Sequence, residues 1–359
     1  MLEQIITQHI RRQGPISFCD FMDMALYHPQ YGYYTSCKPK IGMRGDFYTA
    51  PSYSPLFGHL IAKQIDEMWE IMQEEEFTIV EYGAGPGHLC RAILEYMRSA
   101  GRYEKLHYCI IEKSPHMIAE AKKILPEKVK WVNSIQELGP LTGCILSNEL
   151  VDNLSVHRVK MQNGLKEVFV DHAGEFQEIF EPANDEINKY LDDLKIALPQ
   201  GYRTEVNLQA TKWIHDVANN LRRGFVITMD YGYPAGELNE AHRKDGTLTC
   251  YYKHRVNEHP YQFIGEQDIT AHVNFSALCL AGCQRGLEYC GFTDQYSFLL
   301  SLGFYDWLKE RATPGKEYQD FFHDQALIRV LLYEMGHKFK VLIQKKGIEA
   351  ANLSGLRRS

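Results

Sequence analysis

From about residue 77 onward, apolar runs of strand length alternate with segments of helical period, the pattern of a parallel sheet with crossover helices. The runs "FTIVEY" (77–82) and "LHYCIIE" (106–112) are each followed by a helix-like stretch, 87–100 and 115–125. Together they predict a βαβ unit. Further strands are predicted at 128–132, 142–147 ("TGCILS"), 224–230 ("GFVITMD") and 340–345 ("KVLIQK"), with an amphipathic helix near 207–222. The fold class is α/β with a mostly parallel sheet. Residues 1–76 are rich in aromatics and glycine and do not follow the alternation, so they read as an N-terminal cap ahead of a core over 77–359. Insertions are expected at about 153–206 and 232–275. The second is polar, with Gly, Pro and His, and is long for a plain connection, which favours a functional role.

Composition narrows the classes without choosing among enzymes. The chain has 359 residues, with 39 Lys plus Arg against 46 Asp plus Glu and a net charge of -7. That balance offers no footprint for nucleic acid. The nine cysteines form no CxxC pair, which favours reduced thiols and a cytoplasmic location. No apolar run approaches a membrane span and the N-terminus has no apolar signal core, so neither membrane insertion nor export is expected. The 15 histidines are scattered, without HExxH or similar spacing, and no metal is expected.

Candidate chemistry begins at "VEYGAGPGH", a glycine turn between the first strand and its helix, where an anionic or nucleotide group can be held. Gly83, Gly85 and Gly87 make G-x-G-x-G, and His88 stands where a dinucleotide fingerprint has its third glycine. A Walker loop is excluded because no Gly-Lys-Ser/Thr follows. E-x-G-x-G-x-G is instead the first motif of methyltransferases that use S-adenosyl-L-methionine, with Glu81 anchoring the loop or the methionine ammonium. Glu112, ending the second strand, is placed to accept both ribose hydroxyls, although that placement serves NAD equally well. Ser134 and Asn148 are further candidate cofactor contacts. The bland alternative is a tight turn with Glu112 as a helix cap.

After the 142–147 strand comes "SNELVDN". Active sites of open α/β sheets lie at the carboxyl ends of strands, so Asn148, Glu149 and Asp152 should open toward the cofactor's sulfonium. Methyl transfer needs little acid-base help because the leaving group is already cationic, and positioning supplies most of the rate. Were the nucleophile a guanidinium, carboxylates gripping it could polarise one nitrogen. Glu149, Asp152 and Glu205 ("RTEVN") are candidates for that duty, against ordinary caps or surface charges. His272 ("DITAHVN") either contacts substrate or is a satisfied loop histidine. Tyr31, Tyr33 and Tyr34 either line a pocket for a cation or simply pack.

These residues and others give the chain a family resemblance over nearly its whole length. The segments "HPQYGYYT" (28–35), "GDFYTAPSYSPLFG" (45–58), "VEYGAGPGHL" (80–89), "SNELVDNLSVHR" (147–158), "MDYGYP" (229–234), "GTLTCYYKHR" (246–255) and "GEQDITAHVNFSAL" (265–278) resemble the MidA family of methyltransferases. The resemblance implies a Rossmann-like class I methyltransferase core with added elements, and S-adenosyl-L-methionine as cofactor. It also implies symmetric dimethylation of a protein arginine, the activity associated with the mitochondrial branch in respiratory complex I assembly. By the same resemblance Asp46, Phe47, Ser52, Phe57 and Gly58 lie over the cofactor. The chain departs from the family at Tyr53, where an acidic residue is usual, and at Asn274, where Asp is common.

The leading expectation is therefore a methyltransferase acting on a protein arginine, with a homodimer compatible with it. A small-molecule O- or N-methyltransferase is the second reading. An assembly protein that binds the cofactor without turnover is the third.

Overall fold

The computed structural model describes residues 1–36, 40, 50–311 and 325–357. The chain folds as two compact units, one of Met1–Phe47, Val151–Ile214 and Gly232–Ala281, the other of Tyr48–Leu150, His215–Tyr231 and Gly282–Ser359. The second unit is built around a sheet of β1 (Phe77–Tyr82), β2 (Leu106–Ile111), β3 (Lys130–Val132), β4 (Leu141–Asn148), β5 (Leu221–Tyr233), β6 (Glu288–Asp294) and β7 (Phe339–Lys346). The strand order is β3-β2-β1-β4-β5-β7-β6. β1 pairs in parallel with β2 and β4, and β4 with β5. β7 runs antiparallel to both β5 and β6. The dinucleotide fold has an all-parallel order 3-2-1-4-5-6. The antiparallel strand wedged between the fifth and sixth positions sets this sheet apart from it.

The parallel strands are apolar along their length because helices cover both faces. Ile79, Ile110, Leu146 and Ile227 are buried with side chains of α1 (Pro55–Met72) and α2 (His88–Ser99) in one hydrophobic core. α1 lies in the aromatic, glycine-rich region that does not follow the strand–helix alternation and reads as a cap. Its start is nonetheless a standard one: the Ser54 hydroxyl accepts from Leu56 N–H and Pro55 occupies the first turn. The helix after β2, α3 (Pro115–Ala121), is shorter than the 115–125 predicted. It tightens into bonds from Lys123 N–H to Glu120 O and Ile124 N–H to Ala121 O just before Pro126, where a helix cannot continue.

The first unit carries two antiparallel sheets. Strands Ile16–Ser17, His157–Met161, Leu165–His172, Phe176–Pro182 and Arg203–Val206 form one sheet. Thr249–Tyr252, Arg255–Asn257 and Asp268–Thr270 form another. Helices Leu2–Gln13 and Phe18–Tyr27 bury Ile6, Phe18, Phe21 and Met22 with Val168 and Val170 of the first of these sheets.

Candidate functional site

The order of strands reverses beside β1, with β2 on one side and β4 on the other, and open α/β sheets bind ligands at such a switch point. The chain leaves β1 through Gly83, Gly85 and Gly87, all at positive φ (67°, 53° and 82°), a backbone region that only glycine enters cheaply. The loop is also tightly placed. A Cβ on Gly87 would lie 2.9 Å from Leu125 Cδ1 and 3.1 Å from Ala121 Cβ, and one on Gly83 would lie 2.9 Å from Leu150 Cδ1. Gly87 is the N-cap of α2, so the positive end of that helix dipole opens at the loop.

Two carboxylates flank this turn. Glu112, which follows β2, accepts from Gly85 N–H at 3.0 Å through Oε2 and from Ser114 N–H at 2.8 Å through Oε1. Both oxygens therefore hold backbone, with a lone pair each to spare for another donor. Burial raises its pKa, and the backbone bonds to Ser114 and Gly85 oppose that rise. Glu81 is buried in β1, and its Oε2 accepts from Tyr108 Oη at 2.6 Å. Burial pushes its pKa up to about 7; the Tyr108 bond opposes this and the charge of Glu112 adds to it. The anchor of Glu81 is thus a tyrosine beneath the sheet end. Ser134 follows β3 and starts a short 3-10 helix over Ile135–Leu138.

At the end of β4 the backbone turns sharply. Glu149 adopts φ 52°, in the left-handed region, at a cost of order 1–3 kcal/mol for a non-glycine residue, the kind of strain that gathers at working sites. Its N–H donates to Met229 O at 3.0 Å, and its Oε1 accepts from Ala50 N–H at 3.3 Å and from Asn148 Nδ2 at 3.1 Å. The amide of Asn148 is oriented by that bond, so Oδ1 is its acceptor face. This Oδ1 is buried without a hydrogen-bond partner among the described residues, as expected where a donor from a ligand would bind.

The other expected site residues are placed as follows. Phe57 is fully buried in the core, and a Cβ on Gly58 would come 2.5 Å from Ala92 Cβ of α2. Asp46, Phe47 and the side chains of Ser52 and Tyr53 lie outside the described residues. In the first unit, Asp152 is buried in a 3-10 turn, Val151–Asn153, and its carbonyl accepts from Ala271 N–H at 3.0 Å. The Glu205 Oε2 accepts from Thr247 N–H at 2.8 Å and from Thr247 Oγ1 at 2.9 Å, and its Oε1 stands 4.0 Å from Arg158 Nε. The His272 N–H donates to Thr247 Oγ1 at 3.1 Å. Burial, with the Arg243 charge adding, lowers the His272 pKa to about 4, so its ring is neutral near pH 7. Tyr34 stacks with Tyr27 and meets Tyr33 edge-on, and Tyr34 Oη donates to Asp268 Oδ2 at 2.9 Å. Asn274, one of the departures, caps the helix Phe275–Gln284 through a bond from Ala277 N–H at 3.1 Å.

Residues 60–293 match a family described as "putative S-adenosyl-L-methionine-dependent methyltransferase". A crystal structure from Burkholderia thailandensis, bound to S-adenosyl-homocysteine, is 33% identical and superposes with a TM-score of 0.91 over 100% of this chain and 95% of that one. The chain belongs to the MidA/NDUFAF7 family of methyltransferases. Its sheet is the class I methyltransferase sheet, and S-adenosyl-L-methionine is its cofactor. Curated members are more distant. The Drosophila melanogaster protein arginine methyltransferase NDUFAF7 homolog, mitochondrial, is 27% identical over 95% of this chain and 84% of that protein. The Homo sapiens protein arginine methyltransferase NDUFAF7, mitochondrial, is 25% identical over 82% of this chain and 71% of that protein.

Two carboxylates that the sequence pattern does not single out also shape these regions of the chain. Asp230 is fully buried in β5, and its oxygens accept from Leu150 N–H at 3.2 Å and Tyr231 N–H at 2.9 Å, tying down the turn that carries Glu149. Asp268 is buried in the first unit, where Tyr34 Oη and Asn153 Nδ2 approach it. Asp230 is marked by a charge inside the apolar run "FVITMDY" and by its place in the family-matching segment 229–234. Asp268 lies in the family-matching segment 265–278 but breaks no apolar run.

Proposed function

We propose that this protein transfers a methyl group from S-adenosyl-L-methionine to an arginine side chain of a protein, giving symmetric dimethylarginine. The observation that carries the reading is Glu149: a carboxylate held at the end of β4 by two donors, on a strained backbone, beside an Asn148 acceptor without a partner among the described residues. The proposed cofactor contacts are the Gly83–Gly87 loop, Glu112 through its remaining lone pairs, Ser134 and Asn148, with Asp46, Phe47 and Ser52 joining by family resemblance. Glu81, pinned by Tyr108, supports the loop from below. The bound cofactor supplies an electrophilic methyl on sulfur; the chain's part is to align the acceptor nitrogen and draw charge away from it. Glu149 takes that role, gripping two guanidinium nitrogens so that the third is free to attack; the proton shed by the attacking nitrogen passes to a carboxylate, Glu149 or Asp152, since the departing thioether is uncharged. Asp152 is a second grip candidate. For Glu205 and His272, both tied to Thr247, the proposed part is to shape the substrate side.

The cap over 1–76 and the insertions at about 153–206 and 232–275 are proposed to set substrate choice, and the compartment is proposed to be the cytoplasm. The relatives whose names give a compartment are mitochondrial, so fractionation of the source cell is the test of that assignment.

The function is tested by single-turnover methyl transfer from labelled cofactor into a lysate lacking this protein, read beside cofactor titration. The label is expected in protein, as symmetric dimethylarginine after hydrolysis. Glu149→Gln keeps an oxygen to accept from Ala50 and Asn148 and removes the charge, with one acceptor oxygen becoming an NH2 donor. It should therefore hold cofactor affinity within about twofold while slowing transfer roughly a hundredfold, as loss of a positioned electrostatic group does. Transfer at the parental rate would remove Glu149 from the mechanism. Label confined to small molecules would replace the substrate class, and bound cofactor with no transfer at all would favour the assembly role.

A further inference from the structure

The first unit contains a cavity of about 470 Å³ whose inner wall is cationic. Arg158, Lys160, Arg203 and Arg243 line it, together with Thr247 and His272. The buried carboxylates available to these cations are fewer. Arg158 Nη1 donates to Glu178 Oε1 at 2.7 Å and Arg203 Nη1 to Glu178 Oε2 at 2.8 Å, so two guanidinium groups share one carboxylate. Arg158 is 9% exposed, and its Nε has no hydrogen-bond partner among the described residues, standing 4.0 Å from Glu205 Oε1. Lys160 makes no ion pair among the described residues and lies 5.4 Å above the Phe180 ring. Arg243 rests 3.9 Å from the centre of the Tyr233 ring and reaches a carboxylate, the half-exposed Glu240, only at 3.9 Å. Asp245 and Glu258 also line the cavity but are exposed, whereas Arg158 is buried and Lys160, Arg203 and Arg243 are partly buried, so water screens the charge of the two carboxylates more. With the exposed carboxylates screened, the four cations outnumber the two less exposed carboxylates that reach them among the described residues, Glu178 and Glu205, which leaves the wall a local excess of positive charge.

We propose that this cavity binds a ligand carrying two or more carboxylates, supplied either by an Asp/Glu-rich peptide segment or by a free polycarboxylate. Arginine forks recognise carboxylate and phosphate alike, but phosphate cradles lean on backbone N–H groups. Here those groups are spent: Gly246 N–H donates to Arg243 O at 2.9 Å and Thr247 N–H to Glu205 at 2.8 Å. Recognition falls on side chains spread around the wall, which suits several separate carboxylates better than one compact phosphate. The same surplus repels a guanidinium, so the cavity is not where a methylated arginine would sit. The peptide source deepens the protein-methyltransferase reading and rests on it. The free-ligand source does not.

Calorimetric titration of the full chain at low salt, with hexaglutamate, citrate, inorganic phosphate and hexalysine as probes, tests the site without any turnover. One equivalent of hexaglutamate or citrate is expected to bind, more weakly as salt rises; the tighter of the two identifies the source. Lys160→Met, which keeps the stem over Phe180, and Arg243→Gln should each weaken that probe roughly tenfold, the usual effect of losing a charge-assisted contact. S-adenosyl-homocysteine affinity measured on the same variants should stay at the parental value, showing that they are folded. The proposal is overturned if neither carboxylate probe binds, if both variants bind as the parent does, or if phosphate or hexalysine binds as tightly. Methyl transfer is not the readout, so a failed arginine assignment leaves these outcomes intact, and the reverse also holds.

Discussion

Glu81 shows how burial alone can make a side chain respond to pH. Its carboxyl is raised from 4.5 to about 7 because β1 and its neighbours exclude water from it. Between those values the native state keeps a proton that the unfolded chain has released, so stability falls as pH rises through the window. Above about 7 the whole penalty is in place. Gln at this position keeps an acceptor for Tyr108 Oη and cannot ionise. Glu81→Gln without cofactor should therefore be more stable than the parent at pH 8, by up to about 3 kcal/mol for a shift of this size. The difference should close as pH is lowered toward 4. Urea midpoints across that range check it, and a difference that does not change with pH would mean that Glu81 ionises freely. The neighbouring site residues differ in how visible they are in the sequence. The glycine spacing and Glu112 are local signals, each read within one strand and its turn. Asp230 and Asp268 act on partners 80 and 115 positions away, and no local pattern announces such bonds.

At the scale of elements, the strands buried on both faces are the most legible. β1, β2, β4 and β5 read as continuous apolar runs because helices cover them on each side. β6, "EYCGFTD" at the sheet edge, is only partly buried and carries three polar positions among seven, so nothing in its pattern stands out from a loop. The antiparallel strands of the first unit are likewise hidden inside the expected insertions, since their pairing is set by contacts across the sheet more than by local sequence. α1 escapes prediction although its cap and its buried positions are regular, because the aromatics and glycines before it suggest turns. Gly58 explains one of those glycines. With a Cβ 2.5 Å from Ala92, Gly58→Ala should force α1 and α2 apart and cost about 1–3 kcal/mol, as overpacking does. The urea midpoint should drop with an unchanged slope, and S-adenosyl-homocysteine should bind as before. A variant that kept its stability and lost that affinity would return Gly58 to the cofactor site.

For the whole molecule, the division into two compact units gives cofactor binding a definite thermal signature. The glycine loop, Glu112 and the end of β4 all belong to the unit that holds the class I sheet. A ligand that binds only the native state stabilises by mass action, about 2.7 kcal/mol at a hundredfold excess over Kd. S-adenosyl-L-methionine and S-adenosyl-homocysteine should therefore raise the melting temperature by a few degrees. If calorimetry resolves two transitions, as chains of more than one unit often give, that of the sheet-bearing unit, which holds the glycine loop and Glu112, should move the more. NAD should move neither, because His88 replaces the third glycine of its fingerprint and the antiparallel β7 interrupts the sheet order of its fold. Glu112→Ala should shrink the shift, since a carboxylate already engaged by Gly85 and Ser114 loses both its hold on the loop and its remaining lone pairs. A shift produced by NAD and not by S-adenosyl-L-methionine would overturn the reading of the loop. An undiminished shift in Glu112→Ala would leave Glu112 with the loop alone.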